Sequence, residues 1–387
     1  MAATVPGGYH MRRDNSGMNR AGQGMAIGSG PAGHGGRAAT GTPGPAGLRP
    51  VDGTGPPAAR WIALSGQGTA PPHPRDAAPL TTGTLMLELA RPVAGPCVLL
   101  DHRGTGDGPA QGLSVMFDPA EGLGVMRRRG GQLRRHWLPG PLPGGAGALL
   151  AFGWSGAPGG HWRLAVLPRD ETGAVQETTG PDTMTLSLAE ALAIFSGDAG
   201  QGTALHPAVE WCGVARGEFP FPPAALIAAS ARIHTPSGPV PARLLRPGDL
   251  VLTTDDGPQP LLAATVLELP HRGSLMPVVL RSGHLPLPRD LVVGPRQHVL
   301  IDGAEVEYLF GTDEVFVTAR ELIDGRLARP VGDGAVTAMA ALVLAHPGVL
   351  LAEGMALAAG HADPAARSAR PCLRGYEAAA LRAERGG

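Results

Sequence analysis

Residues 231–260 read ARIHTPSGPVPARLLRPGDLVLTTDDGPQP, and this stretch decides how the chain folds. Short apolar, β-type runs alternate with three turn signals: Ser237-Gly238, Arg246-Pro247-Gly248-Asp249 and Asp255-Asp256-Gly257. Gly tolerates positive φ and Asp caps its own turn, so runs punctuated in this way predict closely spaced strands joined by hairpins. The pattern continues downstream. Asp290 to Gly303 gives a strand-like run around His298. Within Glu305 to Gly325, the apolar runs Tyr308-Leu309-Phe310 and Val315-Phe316-Val317 flank Gly311-Thr312-Asp313, which predicts a buried hairpin. Leu342 to His346, then Val349-Leu350-Leu351 and Glu353-Gly354, predict the closing strands.

Taken together, residues 224–362 resemble a Hint module, the Hedgehog/intein self-processing fold, in the form found in bacterial proteins. The matching residues are the small pair Ser230-Ala231 (the family usually has Gly-Thr), Leu245 to Thr253, the His298 strand and, most closely, Glu305 to Gly325. The resemblance implies a Cys or Ser that opens the module and attacks the preceding carbonyl. That position falls at or near Leu226, and no Cys lies between Cys212 and Cys372. An alkyl group cannot act as a nucleophile, so the usual chemistry is expected to be lost and the module to serve as a binding or structural unit. The alternative is self-cleavage by an N-to-O acyl shift at Ser230, an alcohol that needs a nearby base. His298 and His346 are then the candidate acids. The family has a hydroxyl residue and then Pro-Gln-His; here Gly294-Pro295-Arg296-Gln297-His298 sets the His one place late. That offset is expected to turn the imidazole to the opposite strand face unless a bulge restores it. No His-Asn pair ends the module, so splicing by Asn cyclisation has no candidate residue.

Upstream, residues 60–215 carry a second β signature. Thr84–Leu89, Cys97–Leu100, Leu113–Phe117, Gly124–Met126, Leu149–Phe152 and Trp162–Leu167 are short apolar runs separated by Gly, Pro and Asp turns. Their regular spacing predicts an antiparallel β-sandwich. The hairpin from Ala151 to Val166, with Trp154 and Trp162, resembles the concanavalin/laminin-G-like jelly rolls, which implies a carbohydrate or protein ligand. Both tryptophans are expected in the core. Asp101, Asp118 and Glu121 do not form a paired-acid pattern for glycoside hydrolysis; Asp118-Pro119 reads as a turn. The Asp residues lack calcium-loop spacing.

Composition bounds the rest. The 387 residues leave room for roughly two to three domains. The 59 Gly and 40 Pro crowd toward the front, so residues 1–58, with few large apolar side chains, are expected to be a disordered tail. Residues 363–387 read as a C-terminal tail. All 32 basic residues are Arg, which removes lysine Schiff-base chemistry. A net charge of −1 gives no argument for a nucleic-acid partner. The one basic cluster, Arg127-Arg128-Arg129 and Arg134-Arg135-His136 around Gly130-Gly131, reads as a hairpin with a solvated charged face, with an anion site as the alternative. No apolar run is long enough to span a membrane, and no N-terminal signal peptide is recognisable; the chain is expected in the cytoplasm or exported by a signal-independent route. Cys97, Cys212 and Cys372 stand far apart, as three thiols without metal spacing. No cofactor and no metal site is expected, and no multiple-turnover enzyme. The expected fold is mainly β: a sandwich followed by a Hint-type unit.

Overall fold

Alternating apolar runs become strands because period-2 side chains can bury one face while turns carry the chain back. The computed structural model describes residues 58–65, 78–104, 111–142, 147–169, 174–195, 202–221, 225–332, 334–362, 368 and 370–386. They lie in one compact unit, Gly44–Gly387. Apart from Ala58, the expected disordered tail lies outside the described residues.

The first half supplies β1 (Arg60–Leu64), β2 (Gly83–Leu89), β3 (Cys97–Arg103), β4 (Gln111–Asp118), β5 (Gly122–Arg129), β6 (Gln132–Pro139), β7 (Ala148–Ser155), β8 (His161–Pro168), β9 (Gln176–Pro181), α1 (Leu188–Phe195), β10 (Thr203–Leu205) and β11 (Val209–Arg216). They form two antiparallel sheets, β1-β11-β2-β7-β8-β9 and β10-β3-β4-β5-β6. Leu85, Leu87, Phe152 and Trp154 from the first sheet meet Leu113, Val115, Phe117 and Leu123 from the second, which makes the sandwich core. Trp154 is fully buried and donates its indole N–H to the Leu80 carbonyl. Trp162 packs at the edge of the same core. Asp118 accepts the Ala120 N–H, as a turn opener should.

The second half contains β12 (Ile227–Ala228), β13 (Arg232–Thr235), β14 (Gly238–Pro241), β15 (Leu250–Thr253), β16 (Gly257–Pro260), β17 (Ala263–Pro270), β18 (Val278–Leu280), β19 (Leu291–Val293), β20 (His298–Asp302), α2 (Ala304–Phe310), β21 (Glu314–Thr318), β22 (Ala328–Pro330), β23 (Val336–Leu344), β24 (Val349–Ala352), β25 (Met355–Ala358), β26 (Gly360–His361) and α3 (Gly375–Gly386). One sheet runs β17-β23-β12-β19-β18-β22, with β26 parallel to β23. The other runs β14-β13-β24-β25-β20-β21, with the β15–β16 hairpin added beside β24. Ile227, Ile233, Val251, Val293, Val299, Leu342 and Leu357 fill the core between them.

The sequence reading needs correction at two places here. The expected hairpin arm at Tyr308-Leu309-Phe310 is the end of helix α2. Val306, Leu309 and Phe310 recur at helical spacing and pack on the core, whereas Tyr308 is 81% exposed. Gly311 then ends the helix in the left-handed conformation (φ 67°), and its N–H bonds the Glu307 carbonyl. The segment expected as a C-terminal tail carries α3, whose Ala378 and Leu381 join the same core. A short amphipathic pattern after a run of small residues hid this packing.

A third apolar layer lies between the halves. Every residue of β2 is buried because Leu85, Leu87 and Leu89 face the sandwich core while Met86 faces away from it. Leu149, Ala151, Ala165 and Leu167 share the Met86 face, and they meet Leu267 and Leu269 of β17 and Met339 and Ala341 of β23. Trp211 and Phe219 complete the layer. Backbone bonds seal its rim: the Ala58 N–H donates to Val266 O at 2.7 Å and the Glu268 N–H to Ala59 O at 3.0 Å. Glu88, with no exposed surface, sits inside this layer. Burial pushes its carboxyl up, against donors that pull it down: the Trp211 indole at 2.6 Å, the Ser274 N–H at 2.9 Å and Arg169 at 3.0 Å. Ser274 belongs to the second half and Trp211 to the first, so one carboxylate ties the halves together.

Candidate functional site

The point where the second half begins is a built position. Leu226 directly precedes β12, a strand of two residues held on both sides: Ile227 faces Val293 of β19 and Ala340 of β23. The Leu226 carbonyl accepts the Gly294 N–H at 2.8 Å. Leu226 is 1% exposed and belongs to the layer between the halves. A Cβ at residue 294 would fall 2.9 Å from Leu226 Cβ, so glycine there makes room for the leucine.

Leu226 lines a cavity of about 320 Å³ together with Ala225, Arg296, His298, Ala358 and His361. Two imidazoles and one guanidinium therefore border an otherwise aliphatic space. His298 stacks on Phe316 with ring centroids 5.7 Å apart and planes 24° apart. Burial, and secondarily the Arg296 charge, hold its imidazole below the ordinary value, so it is neutral at neutral pH. His361 reaches the cavity because β26 pairs in parallel with β23, Leu344 opposite His361. Its Nδ1 is buried without a hydrogen-bond partner among the described residues.

Strand β20 fixes the side on which His298 lies. β20 pairs with β21 from His298–Thr318 to Asp302–Glu314 without a bulge. Val299 and Ile301 enter the main core, and Leu300 takes the other face with Phe316, the side to which His298 also belongs. That other face still borders the cavity at the strand's first residue. Gln297, at the neighbouring position, is fully buried and donates to the His298 and Ala358 carbonyls at 3.1 and 2.8 Å.

The other two candidates lie elsewhere. Ser230 is exposed in the turn after β12, where the Ala231 N–H closes onto the Ala228 carbonyl at 2.9 Å, and it does not line the cavity. His346 is exposed in the turn between β23 and β24 and does not line it either. The structure thus brings Leu226 and His298 together and leaves Ser230 and His346 apart from them. Sequence reasoning missed His361 and Arg296. His361 had no signal, because a parallel bridge from a distant strand delivers it; Arg296 stood inside the displaced Pro-Gln-His motif. Among the described residues no cluster of three or more metal-ligating side chains occurs. Among the described residues no helix is long and apolar enough to cross a membrane.

Residues 227–361 match the family model of the Hint domain. No curated protein matches the chain. Among solved structures, the chain is similar to the IT-sialidase CBM40 of Ruminococcus gnavus at 13% identity and a TM-score of 0.27, covering 42% of this chain and 92% of that one. It is also similar to a heptameric SAP-like pentraxin from Limulus polyphemus at 13% identity and a TM-score of 0.20, covering 42% and 78%.

Proposed function

This chain is a Hint domain protein, and we propose that its Hint module is degenerate: a folded structural and binding unit that does not cleave itself. One observation carries this reading. The cavity at the start of the module has no hydroxyl or thiol side chain among its described lining residues, and Leu226 lines it at or near the position where the family resemblance implies the attacking group. Formation of an ester or thioester needs such an atom beside the scissile carbonyl and a base to activate it.

In this reading the remaining polar groups of the cavity bind and orient without forming a bond, and ligand recognition, of a protein or a carbohydrate, belongs to the sandwich. The test is the intact mass of the purified chain, incubated with and without hydroxylamine, which cleaves an ester intermediate. A single species at 39.5 kDa in both samples is the expected result. Fragments dividing between about residues 224 and 231 would overturn it and favour an acyl shift at Ser230. In that case Ser230→Ala should abolish cleavage, and His298→Ala and His346→Ala would identify the acid. In the degenerate module none of the three substitutions changes the mass.

A further inference from the structure

The β5–β6 hairpin turns at Gly130-Gly131 and sets Arg127 directly opposite Arg134, and Arg129 opposite Gln132. Alternation along the strands puts these four side chains on one face of the sheet, the face that Leu123 and Val125 bury in the sandwich core. Two like charges in direct cross-strand register destabilise a hairpin unless each is compensated. Here each is. Arg127, whose side chain is only 4% exposed, pairs with Glu190 of α1 and donates to the Gly112 carbonyl at 3.0 Å. Arg134 pairs with Asp182 and donates to the Thr183 carbonyl at 2.8 Å. The expectation of a solvated face is therefore corrected at Arg127, which α1 covers.

Arg129 is the exception. It forms no ion pair with any carboxylate among the described residues, so three guanidiniums stand against two carboxylates and one positive charge is left over. All three arginines border a cavity of about 280 Å³, with Gln132, Thr183 and Thr185 on its walls. The wall is held firmly: Asp182 adopts φ 87°, which a side-chain-bearing residue rarely takes, and its carboxylate is fixed by the Thr183 N–H at 2.9 Å as well as by Arg134.

We infer that this cavity binds the carboxylate of a small sugar acid, either free or as the acidic unit of a glycan. Arg129 supplies the uncompensated fork for the carboxylate. The amide of Gln132 and the hydroxyl of Thr185 are available to ring hydroxyls, and the Thr183 hydroxyl, which donates to the Met184 carbonyl at 3.3 Å, can accept from one. At about 280 Å³ the cavity is just below the ~300–1,000 Å³ typical of drug-sized sites, which suits a single sugar ring. This rests on the reading of the sandwich as the ligand-binding unit, and the state of the Hint module does not enter it.

Calorimetric titration of the full chain with glucuronate, a glucuronate-terminated disaccharide and glucose tests it. The two acids should bind and glucose should not, with binding weakened by added salt. Equal affinity for both acids assigns a free sugar acid; tighter binding of the disaccharide assigns a glycan end. Arg129→Ala should weaken binding about tenfold or more while leaving the urea midpoint in place, since the residue is exposed. Failure of both acids to bind, glucose binding as well as glucuronate, or an Arg129→Ala protein that binds like the parent would overturn the inference. The mass measurement on the Hint module is independent of this titration, so either reading can fail alone.

Discussion

Two cavities of similar size, about 320 and 280 Å³, sit on the two halves of this molecule, and their linings are opposite in kind. The Hint cavity is mostly aliphatic, with Leu226 in its wall and the imidazoles of His298 and His361 at its edge. The sandwich cavity is walled by guanidiniums, one of them held by a buried carboxylate. In both, the sheets fix the shape while one or two positions decide the chemistry: Leu226 with Gly294 in the first, Arg127 and Arg129 in the second. On the proposed reading the fold keeps the cavity without the reactivity, because the packing that makes the space is spread over many strands.

The comparison breaks if the halves are not one cooperative body. Trp211 lies in the layer between them and donates to buried Glu88. Trp211→Ala should cost about 3–5 kcal/mol and lower a single urea transition seen equally by near-ultraviolet dichroism and backbone signals. Two separate transitions would show that the layer does not couple the cavities. Within the sandwich, Arg127→Ala leaves Glu190 buried without its counter-charge and should cost about 3–5 kcal/mol, against less than about 0.5 for Arg129→Ala. Equal costs would mean that Arg127 is not the structural member of the cluster.

A smaller effect sharpens the Hint side. Gly294→Ala places a Cβ against Leu226 and should cost about 1–3 kcal/mol. Leu226→Gly in the same chain removes the Cβ that the new methyl meets and should recover part of that loss, so a double-mutant cycle would read a coupling between the two sites. Strict additivity would remove the argument that the glycine and the leucine compensate each other.

The smallest effect concerns pH. His102, His136 and His271 are all held below the ordinary imidazole value, in each case first by burial. His136 lies between Phe152 and Trp162, at 5.0 and 4.9 Å, and neither ring nitrogen has a hydrogen-bond partner among the described residues. A lowered imidazole is neutral in the fold and takes up its proton more readily in the unfolded chain. Its contribution is therefore complete above about pH 6.5 and is lost as pH falls from there through the folded-state value. Urea midpoints measured downward from about pH 8 should fall below that point, and His136→Phe should lessen the fall. Midpoints that stay level would contradict the sign.

Much of this was legible in the chain. Thr84–Leu89, Leu113–Phe117 and Trp162–Leu167 are strands within a residue or two of where apolar runs and turn residues put them. That residue 226 is a leucine, with no Cys between Cys212 and Cys372, needed no coordinates. The misreadings have a common cause. Tyr308-Leu309-Phe310 is apolar in both strand and helix registers, and only packing of Val306 and Phe310 on the core selects the helix. Arg127 belongs to a charge run that looks solvated until α1 lies across it.

By itself the sequence determined which residues share a face: the period-2 alternation that groups Arg127 with Arg129, and the offset that sets His298 apart from Val299. What covers each face was decided by tertiary structure alone. The layer that takes in Leu226 is made by strands from both halves, His361 arrives through a parallel bridge to β23, and Glu190 comes from a helix about sixty residues from the arginine it neutralises. Periodicity is a local property of the chain, set by backbone geometry. Burial and charge compensation depend on long-range partners, whose arrival the local pattern does not encode.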